Sequence, residues 1–211
     1  MSSPLFTAFT LVSGISWSIV YIDVINRGFR DRTYGMPFFA LAFNISWEFI
    51  YSFLIYQGFP LQRAVNILWF LLDLAILYTY FWYGPDEFPK AYAGLFLPWS
   101  LAGILSASGI LYFAGTEFAD VRGGTYSAFA QNLMMSVLFI GMLARRDGVR
   151  GQSMYIAVFK CIGTLAPTIL VWITIGSPLV LALGIGCFFY DLIYIVMLYR
   201  KFLALSLNPF T

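Results

Sequence analysis

Apolar residues fall in seven long blocks along this chain, at about 5–26, 36–56, 64–83, 92–113, 125–143, 152–174 and 178–200. A helix needs roughly 20 such residues to cross the hydrocarbon core of a bilayer. The pattern therefore predicts an all-α polytopic membrane protein with seven transmembrane helices. The breaks agree with it. "NRGFRDRTYG" follows the first block, "QGFPLQR" the second, "GPDEFPK" the third, "AGTEFADVRGG" the fourth, "ARRDGVRGQ" the fifth and "GSP" the sixth, each with the Gly, Pro and charge of a turn. The first block has no basic leader and no small-residue cleavage pattern after it, so it is expected to be a retained span.

The breaks also carry an orientation. Arg27, Arg30, Arg32, Lys90, Arg145, Arg146, Arg150, Arg200 and Lys201 fall on one side of the alternating spans, and only Arg63 and Arg122 on the other. The positive-inside rule then predicts an N-terminus outside, or lumenal, and a cytosolic C-terminus. The loops are short and no internal repeat or soluble segment is evident, so residues 1–211 read as a single transmembrane domain. Any functional site is expected within the bundle.

Composition sharpens this reading. The chain is 61% hydrophobic and 20% aromatic, with only 10% charged residues, far less charge than a soluble domain carries. A net charge of +2, scattered over the loops, argues against a nucleic-acid partner. There is no histidine, which removes the commonest general base and the usual ligand of zinc, non-haem iron and haem. Cys161 and Cys187 lie inside apolar blocks and read as small buried hydrophobes.

Against this background the ionisable residues inside the spans stand out. They are Glu48, Asp73, Lys160 and Asp191, with Asp23 near the cytosolic end of the first span. A charge at mid-bilayer costs about 2.5–3.5 kcal/mol on insertion scales, and such residues mark functional paths. At a rise of ~1.5 Å per residue, Glu48 lies ~18 Å from the cytosolic end of its helix, Asp191 ~13 Å, Asp73 ~15 Å and Lys160 ~12 Å. All four are at depths where they could line one cavity. Partners on the same helical faces are Asn44 and Ser52 for Glu48, Tyr194 for Asp191 and Asn66 for Asp73. The plain structural alternative is a set of hydrogen-bonded helix ties, with Lys160 in a buried ion pair with Asp73 or Asp191.

The chain has no DDxxD-like acidic cluster, no GxSxG elbow and no Walker loop. No metal and no cofactor is expected. What remains is a carboxyl group among aromatic side chains. An apolar site favours its neutral form, and a neutral acid is a Brønsted donor. Aromatic faces stabilise a cation, a dry site protects it from water, and a lipophilic isoprenoid can enter from the bilayer. Acid-initiated terpene cyclisation wants all these features. A proton-coupled transporter of seven helices and a sterol-type isomerase that protonates a ring alkene are the alternatives from other classes.

"NISWEF", with Asn44, Trp47 and Glu48, and "FYDLIY", with Asp191 and Tyr194, resemble two motifs of the small seven-helix integral membrane terpene cyclases of fungal meroterpenoid and indole-diterpene pathways and their bacterial relatives. The resemblance implies metal-independent cyclisation of a prenyl chain, started by protonation of a terminal epoxide or, in some members, an alkene. It implies that Glu48 and Asp191 are the acid pair. It makes Trp47 and Tyr194 cavity-wall residues and Asn44 a hydrogen-bond partner of Glu48. Asp73 is a further cavity or supporting candidate with no matching motif. The location implied is the endoplasmic reticulum for a fungal protein and the plasma membrane for a bacterial one.

Overall fold

A chain inside lipid must satisfy its own backbone N–H and C=O groups, which leaves the helix as the default form for each apolar block. The computed structural model describes residues 4–55, 60–118 and 124–210. Its helices are α1 (Pro4–Asp31), α2 (Phe38–Phe49), α3 (Pro60–Glu87), α4 (Phe96–Glu117), α5 (Thr125–Arg145), α6 (Met154–Ile175) and α7 (Pro178–Ala204). Six are long and apolar enough to cross a membrane, and α2 with its continuation to Leu54 is a shorter apolar unit. Large side chains such as Leu105 (72% exposed) and Phe113 (63% exposed) cover the outside of α4. A surface of that kind is stable only against lipid. The chain is an integral membrane protein.

Six of the expected spans recur, most with longer ends, whereas the second, expected at 36–56, is shorter, at Phe38–Leu54. The break "GPDEFPK" is half helix, because Gly84, Pro85, Asp86 and Glu87 complete α3. Pro85 withdraws one N–H in the last turn, where little is lost, and Gly84 lets the Phe96 ring approach to 3.1 Å of where a Cβ would stand. A 3₁₀ stretch kinked at Tyr92, Lys90–Leu95, then leads into α4. Residues 56–59 and 119–123, with Arg122 among them, lie outside the described residues.

Helices α1, α3, α2, α5, α7 and α6 each pack on the next, and α6 closes the ring back onto α1. Helix α4 lies outside the ring against α2. It does so through small buried positions, Ser100, Gly103 and Ala107, the usual device for close helix approach in lipid. Two irregular turns shape the interior. The chain after α2 forms one π turn, Ile50–Leu54, and Arg63 of α3 donates to the Ser52 carbonyl there at 2.8 Å. In α6, Pro167 has no N–H for the Gly163 carbonyl one turn earlier. Ser13 of α1 fills that gap at 2.8 Å, while the Trp17 ring occupies the space a Gly163 side chain would need.

The arginine-rich end of the bundle is tied together by polar contacts. Arg146 pairs with Glu87 at 2.9 Å and lies over the Tyr34 ring. Arg150 donates to the Asp31 and Arg32 carbonyls. Asp23 pairs with Arg27 at 3.0 Å and accepts from Ser153. Asp23 therefore belongs to this knot and not to the interior. At the opposite end α6 stops at Gly176, in the left-handed region at φ 67°, and α7 starts from Ser177, whose hydroxyl accepts from the Val180 N–H.

Helices α6 and α7 meet at Gly184, where an added Cβ would lie 2.3 and 2.4 Å from the two γ atoms of Thr168. A β-branched side chain has no rotamer that withdraws both. Gly184→Ala is expected to destabilise the protein by about 1–3 kcal/mol, against about 1 kcal/mol gained in helix propensity. Thermal unfolding in detergent measures this, and adding Thr168→Ala should recover only part of the loss, because the Cβ at position 168 still lies 2.9 Å away.

Candidate active site

Glu48 sits on the inner face of α2, one turn from Asn44 and just before the π turn. Its carboxyl is 1% exposed. Tyr21 of α1 donates its hydroxyl to Glu48 Oε1. Asn44 Nδ2 donates to the Tyr21 hydroxyl oxygen, to Glu48 Oε1 at 3.0 Å and to Asp73 Oδ2 at 2.9 Å. An amide nitrogen carries only two hydrogens, so three acceptors compete for them. Asn44 thus bridges carboxyls from α2 and α3. Glu48 Oε2 and Asp73 Oδ1 accept from no N–H or O–H donor among the described residues.

Tyr21, Asn44 and Glu48 line a cavity of about 500 Å³ between α1, α2, α3, α5 and α6. That volume lies within the range of small-molecule sites. Its walls include the aromatic side chains of Phe6, Phe9, Trp17, Trp47, Trp69 and Phe129. Trp69 stacks on Tyr21, with ring centroids 6.1 Å apart and planes 18° from parallel. The Trp47 indole N–H reaches the Gly124 carbonyl at 3.1 Å and the Ser127 hydroxyl at 3.2 Å. It can do so because Gly124 has φ 67° and no side chain in the way of the ring. Gln131 and Asn132 of α5 add polar atoms to the wall, and Gln131 Oε1 and Asn132 Oδ1 have no hydrogen-bond partner.

The structure separates the four ionisable residues that their depths would put around one cavity. Glu48 is on the wall. Asp73 is fully buried behind it, held through Asn44. Asp191 and Lys160 form a different cluster, with Lys160 Nζ 2.5 Å from Asp191 Oδ1, exposed 0% and 1% respectively. The carboxyl joined to Glu48 through Asn44 is thus Asp73, and Asp191 is joined to the ammonium. The helix order around the ring is the reason: α3 adjoins α2, whereas α7 packs on α5 and α6.

Of the same-helix partners, Asn44 does bond Glu48. Ser52 Oγ lies without a partner in the π turn. Asn66 accepts from Gln62 at 2.8 Å, and the Tyr194 hydroxyl donates to Gln152 Oε1 at 3.1 Å. Tyr194 packs on Phe139 in the core and is not among the cavity-lining side chains. The sequence reading missed Tyr21, Gln131 and Asn132. Tyr21 carried little signal, because it stands five residues from the end of its expected span, near the interfacial belt where membrane tyrosines gather.

The Pyr4-like transmembrane terpene cyclase family matches residues 2–202 of the chain. The chain belongs to this family. Terpene cyclase pyr4 of Aspergillus fumigatus is 29% identical over 203 residues, covering 90% of this chain and 84% of that protein. Asnovolin H synthase nvfL of Aspergillus novofumigatus is 33% identical over 187 residues, 82% of this chain and 75% of its own length. The Pyr4-family terpene cyclase mfmH of Annulohypoxylon moriforme is 30% identical over 166 residues, 77% of this chain and 68% of that protein. No solved structure matches the chain. The protein is a membrane terpene cyclase, an enzyme acting on a lipophilic isoprenoid, and the transporter and isomerase alternatives give way to that assignment.

Asn44 supplies the amide donor that bridges both buried carboxyls of this cyclase. Asn44→Leu removes that donor from each and is expected to cost about 1–3 kcal/mol, read as a lowered melting temperature in detergent. Trp47→Phe, which loses contacts at the edge of the cavity, should cost less.

Proposed function

We propose that Glu48 starts the cyclisation by delivering a proton to the far end of a prenyl chain. The observation that carries this reading is a fully buried carboxyl lining an aromatic-rich cavity, anchored through Oε1 by the Tyr21 hydroxyl and the Asn44 amide and set beside the carboxyl of Asp73. On a terminal epoxide, the Glu48 proton goes to the epoxide oxygen and the C–O bond at the more substituted carbon breaks. The next alkene supplies the electron pair that closes the ring. Loss of a proton from a C–H beside the last cation restores the count, so the product is an isomer of the substrate. On an alkene substrate the proton goes to carbon and the rest is the same.

Each supporting group has a task in this scheme. The Tyr21 and Asn44 donors stabilise the carboxylate left behind on Glu48. Asp73, bridged through Asn44, is the neighbouring carboxyl that can exchange a proton with it. Trp17, Trp47 and Trp69 offer π faces to the migrating cation and exclude water. Asp191, the second acid implied by resemblance, is treated separately below. The uneven spread of Lys and Arg supports an N-terminus outside or lumenal and a cytosolic C-terminus. The cavity reaches the ends of α3, α5 and α6 on the face away from the arginine knot, so it faces the lumen. The fungal sources of the relatives support the endoplasmic reticulum.

The test incubates membranes containing the protein with prenylated aromatics and their terminal epoxides, with EDTA present. The expected result is a product of unchanged mass and shifted retention. Glu48→Gln should lower its formation by about 10²–10⁴-fold. Tyr21→Phe should lower kcat by up to about 10²-fold. A product that requires Mg²⁺, or that persists in Glu48→Gln, overturns the reading.

A further inference from the structure

Behind the α5 wall of the cavity lies a second polar cluster. Lys160 of α6 contacts Asp191 of α7 at 2.5 Å and the Ser136 hydroxyl of α5 at 2.6 Å. All three residues are essentially inaccessible. Ser136 accepts from the ammonium and donates onward to the Asn132 carbonyl at 3.0 Å. One turn above, the Asn132 side-chain amide donates to Thr164 Oγ1 at 2.8 Å. Lys160 and Thr164 are four residues apart on α6, as are Asn132 and Ser136 on α5, so the two helices are joined by successive polar rungs. The upper rung ends at the cavity wall, where Asn132 Oδ1 and the neighbouring Gln131 Oε1 have no partner in the protein.

A buried acceptor without a donor is disfavoured unless a guest answers it. In a cavity that holds a cation, amide oxygens attract the positive carbon and favour one folded form of the chain over another. Their position therefore matters to the reaction, and the rungs behind them fix it.

We propose that Asp191 acts through Lys160 as a positioning residue: the ion pair clamps Ser136, and Ser136 holds the Asn132–Gln131 segment whose free amide oxygens steer the cation. The proposal rests on the cyclase reading above. It gives Asp191 a role in turnover without contact with substrate, and it makes Lys160 and Ser136 members of the same unit. Removing one partner of a buried pair strands the other charge, whereas removing both does not.

The experiment compares Asp191→Leu, Lys160→Met, the double variant and Ser136→Ala in detergent and in the cyclisation assay. Each of the first two should lower the melting temperature by about 6 °C or more and lower product formation at least about tenfold. The double variant should recover most of both, with an altered ratio of cyclised isomers. Ser136→Ala should lower the melting temperature less than either charge variant, yet shift that ratio and lower kcat more than it changes KM. A purely structural pair would leave the ratio untouched. Additive losses in the melting temperatures overturn the coupling, and this arm needs no substrate. A double variant that folds like wild type but makes no product, while wild type cyclises the same compound, overturns the role and makes Asp191 a proton-handling group. Absence of any product from wild type counts against the cyclase reading instead.

Discussion

A carboxyl group inside a bilayer has no water to bond with, and the side chain of Asn44 takes over that task. From α2 it reaches the Tyr21 hydroxyl of α1, its own neighbour Glu48, and Asp73 of α3. Three helices converge on one amide because none of their polar groups can be satisfied by lipid. The cavity exists where this convergence stops. On one side of the amide the polar atoms are matched. On the other, Glu48 lines a cavity shared with the rings of Trp17, Trp47 and Trp69.

The other irregularities in the fold follow the same rule. A π turn and a proline each free backbone carbonyls inside the membrane. Arg63 answers the carbonyl of Ser52, and Ser13 answers that of Gly163. Both repairs cross from one helix to another, so each local defect becomes a tie between elements around the cavity. Pro167 lines the cavity, and Glu48 comes just before the π turn. The departures from regular helix thus cluster around the cavity.

Much of this was legible in the sequence. The helices were, since an apolar block inside lipid has one satisfactory form. Glu48 was, since an acid is conspicuous in "NISWEFIY" and has Asn44 one turn away. The neighbours of Asp191 were not. Depth along a helix is read from residue counts, but the order of helices around a ring is not. Lys160, Asp73 and Asp191 lie at similar depth, and only the packing of α6 on α7 decides which carboxylate meets the ammonium. The "GPDEFPK" segment was misjudged for a related reason. Gly and Pro normally end helices, yet a tertiary contact with Phe96 keeps Gly84 inside one.

The long axis of the cavity has a consequence for which carbon reacts. Phe6 and Tyr21 both line it, and they are separated along α1 by a rise of roughly 22 Å. Glu48 stands beside Tyr21 at one end of that distance. On the proposed reading, a guest would lie lengthwise to reach it, tail foremost, with its bulkier part towards Phe6. The enclosure would then work as a ruler: reach would decide which double bond or epoxide meets the proton, and the trailing group could vary in kind without disturbing the chemistry beside Glu48.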